Sequence, residues 1–473
     1  MKKQRIITII LSIIFSFVPI LITINTIAKA APNTDNTGCH FGNSVDTAGD
    51  VNGDGYDDVI VAASGCEAVY VYYGSATGLS ALPDWSYVSD QSGAQFGVSV
   101  STAGDVNSDG YDDIIVGAFR YNAGLGDRQG KAFVFYGSES GLSATPDWTM
   151  ASDQSMSQFG YSVGTAGDVN GDGYDDVIIG APFWADSRVF IYPGSATGLS
   201  TRVWTLNEAD YTAFGSGVST AGDVNNDGFD DVIVGAYQYG YPSMRGAAFV
   251  YYGSADGVVT TPAWSTVGDQ IDARYGFHVA AMGDVNNDGY DDIVLEEPMY
   301  DDGANENAGR IHAFYGSATG PSPTADWILV GEQAGMYLGA TSSAGDVNND
   351  GFDDLIVGDF YDPSVSLDGA GRARIYFGSA TGLSTTANWT VVGGQADEML
   401  GIAVGLAGDV DGNDYVDIIV GAYHYDGTYR DEGRAYAYCG TVEGLSTTPC
   451  WTGGLSETIY SNSIYLPLVL KGQ

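Results

Sequence analysis

One feature limits this chain more than any other: the stretch "AGDVNGDGYDDVIV" at positions 48–61 is the first of seven copies that differ by small changes. The acidic motif begins at Asp50, Asp105, Asp168, Asp223, Asp284, Asp346 and Asp409, at intervals of 55 to 63 residues. Other marks keep the same phase. Phe41, Phe96, Phe159, Phe214, Tyr275, Leu338 and Leu400, each followed by Gly, stand 8 or 9 residues earlier. Trp85, Trp148, Trp204, Trp264, Trp327, Trp389 and Trp451 each close a unit. A period of this length means one supersecondary unit, copied and stacked.

The unit itself reads as all β. "FGVSVSTAG" alternates small and apolar residues, "DIIVGA" is a short apolar strand, "KAFVFYG" alternates again, and the Trp opens a fourth strand. Gly-rich turns separate these runs and helical periodicity is absent. Two-stranded pieces are not stable alone, and short strands in a ring avoid exposed edges. The pattern therefore predicts an all-β, seven-bladed β-propeller of four-stranded antiparallel blades. Its expected extent is residues 31–454, with 1–30 before it and a tail at 455–473.

The acidic loop carries a chemical signature. Counting from Asp50, side-chain oxygens fall at positions 1, 3, 5 and 9 (Asp50, Asn52, Asp54, Asp58), with Gly at 6 and Tyr56 at 7. Alternate donors, a glycine for the sharp turn and a carbonyl at position 7 are how a loop wraps one Ca²⁺ in oxygen. Mg²⁺ asks for a tighter octahedron, and the loop offers no sulfur to softer metals. The same set recurs as Asp105, Asn107, Asp109, Tyr111, Asp113, then as Asp168, Asn170, Asp172, Tyr174, Asp176. It recurs again as Asp223, Asn225, Asp227, Phe229, Asp231, as Asp284, Asn286, Asp288, Tyr290, Asp292, and as Asp346, Asn348, Asp350, Phe352, Asp354. The seventh set, Asp409, Asp411, Asn413, Tyr415 and Asp417, has Asp414 at the glycine position. Asp enters the left-handed region at some cost, so this loop is expected to be present but weaker. Up to seven Ca²⁺ are expected. The bland alternative, a solvated acidic turn, does not require this spacing.

Charge agrees with cation loading. The 473 residues hold 17 Lys and Arg against 60 Asp and Glu. A surface so acidic disfavours nucleic acid and anionic lipid as partners. Four of the bases (Lys2, Lys3, Arg5, Lys29) lie in the first 30 residues, which contain no acid. "MKKQR", the apolar run 6–24 and "AKA" at 28–30 read as a signal peptide. The apolar run is long enough to be retained as an anchor instead. Either way the body is expected outside the cytoplasm, secreted or on the cell surface, where four cysteines form disulfides. Cys39 and Cys66 flank the first acidic loop and Cys439 and Cys450 flank one turn. If those are hairpins, each pair bridges neighbouring strands. The rival pairing Cys39–Cys450 would join the chain ends.

"FG…AGDVNGDGYDDVIVGA" resembles the FG-GAP repeat of the integrin α-chain β-propeller and its bacterial relatives, over about positions 39 to 453. The GA element survives at Gly117-Ala118, Gly180-Ala181, Gly235-Ala236 and Gly421-Ala422. It degenerates at Ala62-Ala63, Glu296-Glu297 and Gly358-Asp359, which puts inter-blade packing in doubt in blades one, five and six. The resemblance implies calcium in the acidic loops and ligand on the opposite face.

That opposite face carries the loops between second and third strands, such as "FRYNAGLGDRQGK", "PMYDDGANENAGR" and "YHYDGTYRDEGR". They gather ten bases, among them Arg120, Lys131, Arg188, Arg310, Arg372, Arg374 and Arg434, and aromatics Tyr121, Trp184, Tyr239, Tyr241, Tyr300, Tyr361 and Tyr425. Arg and aromatics on variable loops suit a recognition surface. An equally good reading is that the aromatics wedge between blades and that the Arg opening each third strand pairs with nearby acids. No GxSxG, HExxH or P-loop appears, and of the four histidines only His424 lies in these loops. The expectation is a non-enzymatic binding or cell-adhesion module for an extracellular protein or glycan. The alternative is a lectin or polysaccharide-active enzyme using the aromatic loops. "IYLPLVLK" in the tail is too short to span a bilayer. It reads either as a sorting or attachment motif or as an added strand, so a membrane enters only through the leader or the tail.

Overall fold

A computed structural model describes residues 38–183, 187–208, 212–240, 242–361 and 367–455. The leader, Trp184, Tyr241 and the tail beyond 455 lie outside the described residues. The chain forms seven four-stranded antiparallel sheets, each paired in chain order. Blade one runs Phe41–Gly49, Asp58–Ala63, Ala68–Tyr72 and Trp85–Val88, and blade seven ends with Trp451–Gly454. The expected seven-bladed β-propeller is the observed fold. Among the described residues no helix is long and apolar enough to cross a membrane.

The second strand explains why the blades stack. All six residues of Asp58–Ala63 are buried, as they are in the matching strand of every blade. A strand covered on both faces reads as a continuous apolar run, not an alternating one. Seven cores form, each between neighbouring blades. Ile60 and Val71 pack on Phe96 and Val116, for example, and Val59 and Tyr72 pack on Ile419 and Trp451. Each fully buried Val, Ile or Phe contributes about 1.5–3 kcal/mol.

The FG and GA elements meet at the seams. A methyl group on Gly421 would overlap the carbonyl oxygen of Gly42, and Gly117, Gly180, Gly235 and Gly358 sit in the same way on the following blade's FG glycine. Only glycine at the GA site allows the two backbones to approach so closely. The contact therefore holds in blade six despite its degenerate element, while Ala62 and Glu296 stand in that place in blades one and five.

Among the described residues no strand is shared between the first and last blades. Backbone bonds close that seam, Phe41 N–H to Glu432 O at 3.0 Å and Asp57 N–H to Asp409 O at 3.2 Å. The Trp451 indole N–H also donates to Ser80 O at 2.8 Å. Trp85, Trp264, Trp327 and Trp389 make the same indole bond to the next blade's turn, so in five of the seven units the final Trp bonds across a seam. Both expected disulfides are present, Cys39–Cys66 and Cys439–Cys450, with Cα atoms 4.7 and 5.8 Å apart.

Candidate metal centres and the opposite face

Register fixes which loops share a face. Gly49 pairs with Asp58 at one end of the first two strands, and Ala63 pairs with Ala68 at the other end of the second and third. The acidic loops therefore lie on one face and the variable loops on the other.

Each acidic loop winds around its first carboxylate. Asp50 accepts backbone N–H groups from Gly53, Asp54 and Gly55 at 2.6, 3.1 and 2.8 Å. The seventh loop repeats this, with Asn413 and Asp414 donating to Asp409 at 3.0 and 2.8 Å. Two residues per loop are left-handed, at positions 4 and 6: φ is 73° at Gly53 and 88° at Gly55. Asp414 takes the second of these at 66°, so the departure from Gly is tolerated. The requirement at position 4, met by Gly, Ser or Asn, is legible only as a run of turn-forming residues.

The position-9 carboxylates are fully buried in all seven blades (Asp58, Asp113, Asp176, Asp231, Asp292, Asp354, Asp417). Asp58 accepts Val51 N–H at 3.1 Å and Gly74 N–H at 2.8 Å. Burial, with Asp50 and Asp54 adding like charge, pushes its carboxyl up to about 8 against those hydrogen bonds. Asp113, Asp231, Asp292 and Asp354 rise as far, and Asp176 and Asp417 to about 7. Without a counter-cation such groups hold their charge poorly. The position-3 side chains point the same way. Asn107 Oδ1, Asn348 Nδ2 and Asp411 Oδ1 are buried without a hydrogen-bond partner. An orphaned amide or carboxylate atom in the hollow of an acidic loop suits a cation ligand; for Asn348 the amide end facing inward is an assignment that a flip reverses. In the seventh loop one oxygen each of Asp409, Asp411 and Asp417 lie within 4.8 Å of one another. The donor set fits a hard divalent ion.

The 1-3-5-9 spacing leaves out one acid in six of the seven loops. The position-8 Asp turns away from its own loop toward the neighbouring blade. Asp112 Oδ2 accepts Asp50 N–H at 2.9 Å, and Asp175, Asp230, Asp291, Asp353 and Asp57 do the same for Asp105, Asp168, Asp223, Asp284 and Asp409. Blade seven has Val416 at this position, against Gly345 of blade six.

On the opposite face, six of the ten bases assigned to loops belong instead to third strands: Lys131, Arg188, Arg310, Arg372, Arg374 and Arg434. Arg310 pairs with the buried Glu297 through Nη2 at 2.7 Å, and Arg374 with the buried Asp359 at 2.7 Å. The acids that replace the GA alanine in blades five and six are thus matched within their own sheets. The described aromatic candidates Tyr121, Tyr239, Tyr300, Tyr361 and Tyr425 are all half-buried. Arg310 stacks on Tyr300 at 3.8 Å, Arg434 on Tyr425 at 3.6 Å, Lys131 lies over Tyr121 at 4.9 Å, and Tyr239 meets Phe249 edge-on. Each of these four braces the third strand of its own blade. The sequence reading also put only His424 among the histidines on this face. His278, in the bend just before the inner strand Val279–Gly283, also lines the axial cavity.

Fold and loops together define the class: the chain is a seven-bladed β-propeller that carries FG-GAP repeats. The FG-GAP repeat model matches residues 159–192, 214–251 and 277–314, and an FG-GAP-like repeat model matches 50–116. Among curated proteins it is similar to integrin alpha-5 of Xenopus laevis, 30% identical over 218 residues, which is 42% of this chain and 19% of that one. Integrin alpha pat-2 of Caenorhabditis briggsae is 32% identical over 221 residues, covering 41% and 17%. Integrin alpha-V of Gallus gallus is 30% identical over 214 residues, covering 42% and 20%. The matches thus span a fifth or less of those relatives' length. Among solved structures, BBS1N in complex with ARL6DN covers 88% of this chain at 11% identity with a TM-score of 0.46.

Proposed function

We propose that this protein is an exported, calcium-loaded binding or adhesion module that meets an extracellular protein or glycan on the face away from its acidic loops. The observation that carries the reading is the sevenfold loop. The same oxygens recur at the same positions, with a buried carboxylate at position 9 and an orphaned buried atom at position 3 in three blades. Held by positions 1, 3, 5 and 9 and the position-7 carbonyl, Ca²⁺ would supply the positive charge that these carboxylates lack. Its role is structural: it offsets repulsion inside each loop and fixes the position-1 residue that the next blade grips. Extracellular calcium modules bind at about 10⁻⁴ to 10⁻³ M, which matches the setting that the disulfides and the leader suggest. The similarity to integrin α-chains and the lack of catalytic motifs support binding over catalysis.

Calorimetric titration of metal-stripped protein with CaCl₂ is the test. Several saturable sites, approaching seven, are expected, with a melting temperature many degrees lower in excess EGTA. No heat and an unchanged melting curve would remove the reading. Binding to immobilised extracellular-matrix proteins and to a glycan array, with and without Ca²⁺, tests the module's ligand role.

A further inference from the structure

Blades five and six place polar side chains where blades one to three carry a shared inner-strand contact. Three residues past the Phe of blades one to three stands a serine whose Oγ accepts a backbone N–H of the next blade: Ser44 from Val100 at 3.2 Å, Ser99 from Val163 at 3.1 Å, Ser162 from Val218 at 3.2 Å. Blades four and seven have Gly217 and Ala403 at that position, without a polar side chain, whereas blade five has His278 and blade six has Thr341. The GA glycine, which lets adjoining backbones touch in blades two, three, four, six and seven, is Glu296 in blade five. These three departures converge. Glu296 Oε1 accepts the Thr341 hydroxyl at 3.0 Å and faces His278 Nδ1 at 3.4 Å. The Glu296 side chain is 4% exposed and that of His278 48%. Local rules that fail together at one place mark function more often than neglect.

The trio lines a cavity of about 560 Å³ on the propeller axis, inside the roughly 300–1,000 Å³ range of small-ligand sites. Half-buried Tyr161, Phe277 and Phe360 also line this cavity, together with serines of the inner strands. The Glu296 carboxylate is matched by His278 and Thr341, so the site is not a trap for a free cation. With Nδ1 turned to Glu296, His278 keeps Nε2 for a ligand. Flat apolar rings beside paired donors and acceptors fit a molecule with an apolar C–H face and a rim of hydroxyls.

We infer that this axial cavity is a glycan-binding site that seats one terminal sugar residue, with Glu296 and His278 bonding its hydroxyls and Tyr161, Phe277 and Phe360 covering its ring. The inference rests on the reading of this face as the binding face and names the ligand class.

Saturation-transfer difference NMR on full-length, Ca²⁺-loaded protein tests it, with methyl α-D-mannoside, methyl β-D-galactoside, methyl β-D-glucoside and methyl β-N-acetylglucosaminide as probes. At least one is expected to bind with Kd at or below about 1 mM. Glu296→Gln and His278→Asn should each weaken it at least about tenfold, while the melting temperature in Ca²⁺ stays within a few degrees of the parent. Tyr161→Ala, on the cavity wall away from the trio, supplies a second variant should Glu296→Gln fail to fold. Binding that survives these substitutions overturns the inference, as does silence from all four glycosides. Preferential binding of N-acetylarginine methylamide overturns it in favour of a cationic peptide ligand. If the protein takes up Ca²⁺ and binds an immobilised protein but no glycoside, the module reading stands and the sugar seat falls.

Discussion

Asp112 in blade two accepts the backbone N–H of Asp50 in blade one at 2.9 Å, so the residue that opens one acidic loop is held by the loop of the next blade. The contact crosses 62 residues of sequence and recurs at six of the seven seams.

Replacing Asp112 with Val reproduces what blade seven has at Val416. The Asp50 N–H then loses its acceptor at a part-buried site, which costs about 1–3 kcal/mol. Asp112→Asn keeps an acceptor oxygen and should lose less. Urea denaturation of both variants in saturating Ca²⁺ checks the order; equal stability of Asp112→Val and the parent would mean the bond contributes nothing.

Calcium and protons should compete. The position-9 carboxyls are raised in the metal-free fold to about 7 or 8 (Asp58, Asp113, Asp176, Asp417 among them), against about 3.9 in an unfolded chain. A folded pKa above the unfolded one means that stability is present at low pH and lost as pH rises between the two. Metal-free protein is therefore expected to melt higher at pH 5 than at pH 8. The gain on adding Ca²⁺ should be larger at pH 8, since the ligands must be deprotonated. Scanning calorimetry at both pH values, with EGTA or CaCl₂, decides it.

Glu297 is fully buried between Arg310 and His312, with His312 Nε2 at 3.2 Å. Glu297→Ala leaves Arg310 with the exposed Asp269 as its remaining carboxylate partner and should cost about 3–5 kcal/mol. The double variant Glu297→Ala/Arg310→Ala restores the pair that blade four already uses, Ala236 opposite Ala247. Much of the loss should return. A double variant no better than the single one, by the same denaturation, would show that the ion pair is not what the sheet needs.

Asp46 faces the propeller channel, where burial raises its carboxyl to about 6 against the hydrogen bonds it accepts from Ser101 Oγ at 2.8 Å and Thr47 N–H at 3.0 Å. Its folded pKa exceeds the unfolded value, so this residue's share of stability is present below about pH 4 and declines as pH rises through 6. Asp46→Asn should remove that slope. Melting temperatures in Ca²⁺ between pH 4.5 and 7 report it, and parallel curves for variant and parent would refute the assignment.

The chain's own order determined the sevenfold repeat, the four-strand unit, the cysteine pairs favoured by their spacing and the spacing of oxygens around each loop. Alternation, turn chemistry and ligand spacing belong to contiguous residues, and the repeat carries them into every blade. Tertiary structure alone decided that the position-8 Asp serves its neighbour, that Lys131, Arg310 and Arg434 stand on strands over aromatic rings, and that Glu296, His278 and Thr341 meet on the axis. Those relations depend on how one blade is rotated against the next. That rotation is set by glycine contacts and buried strands on both sides of a seam, and no local pattern encodes it.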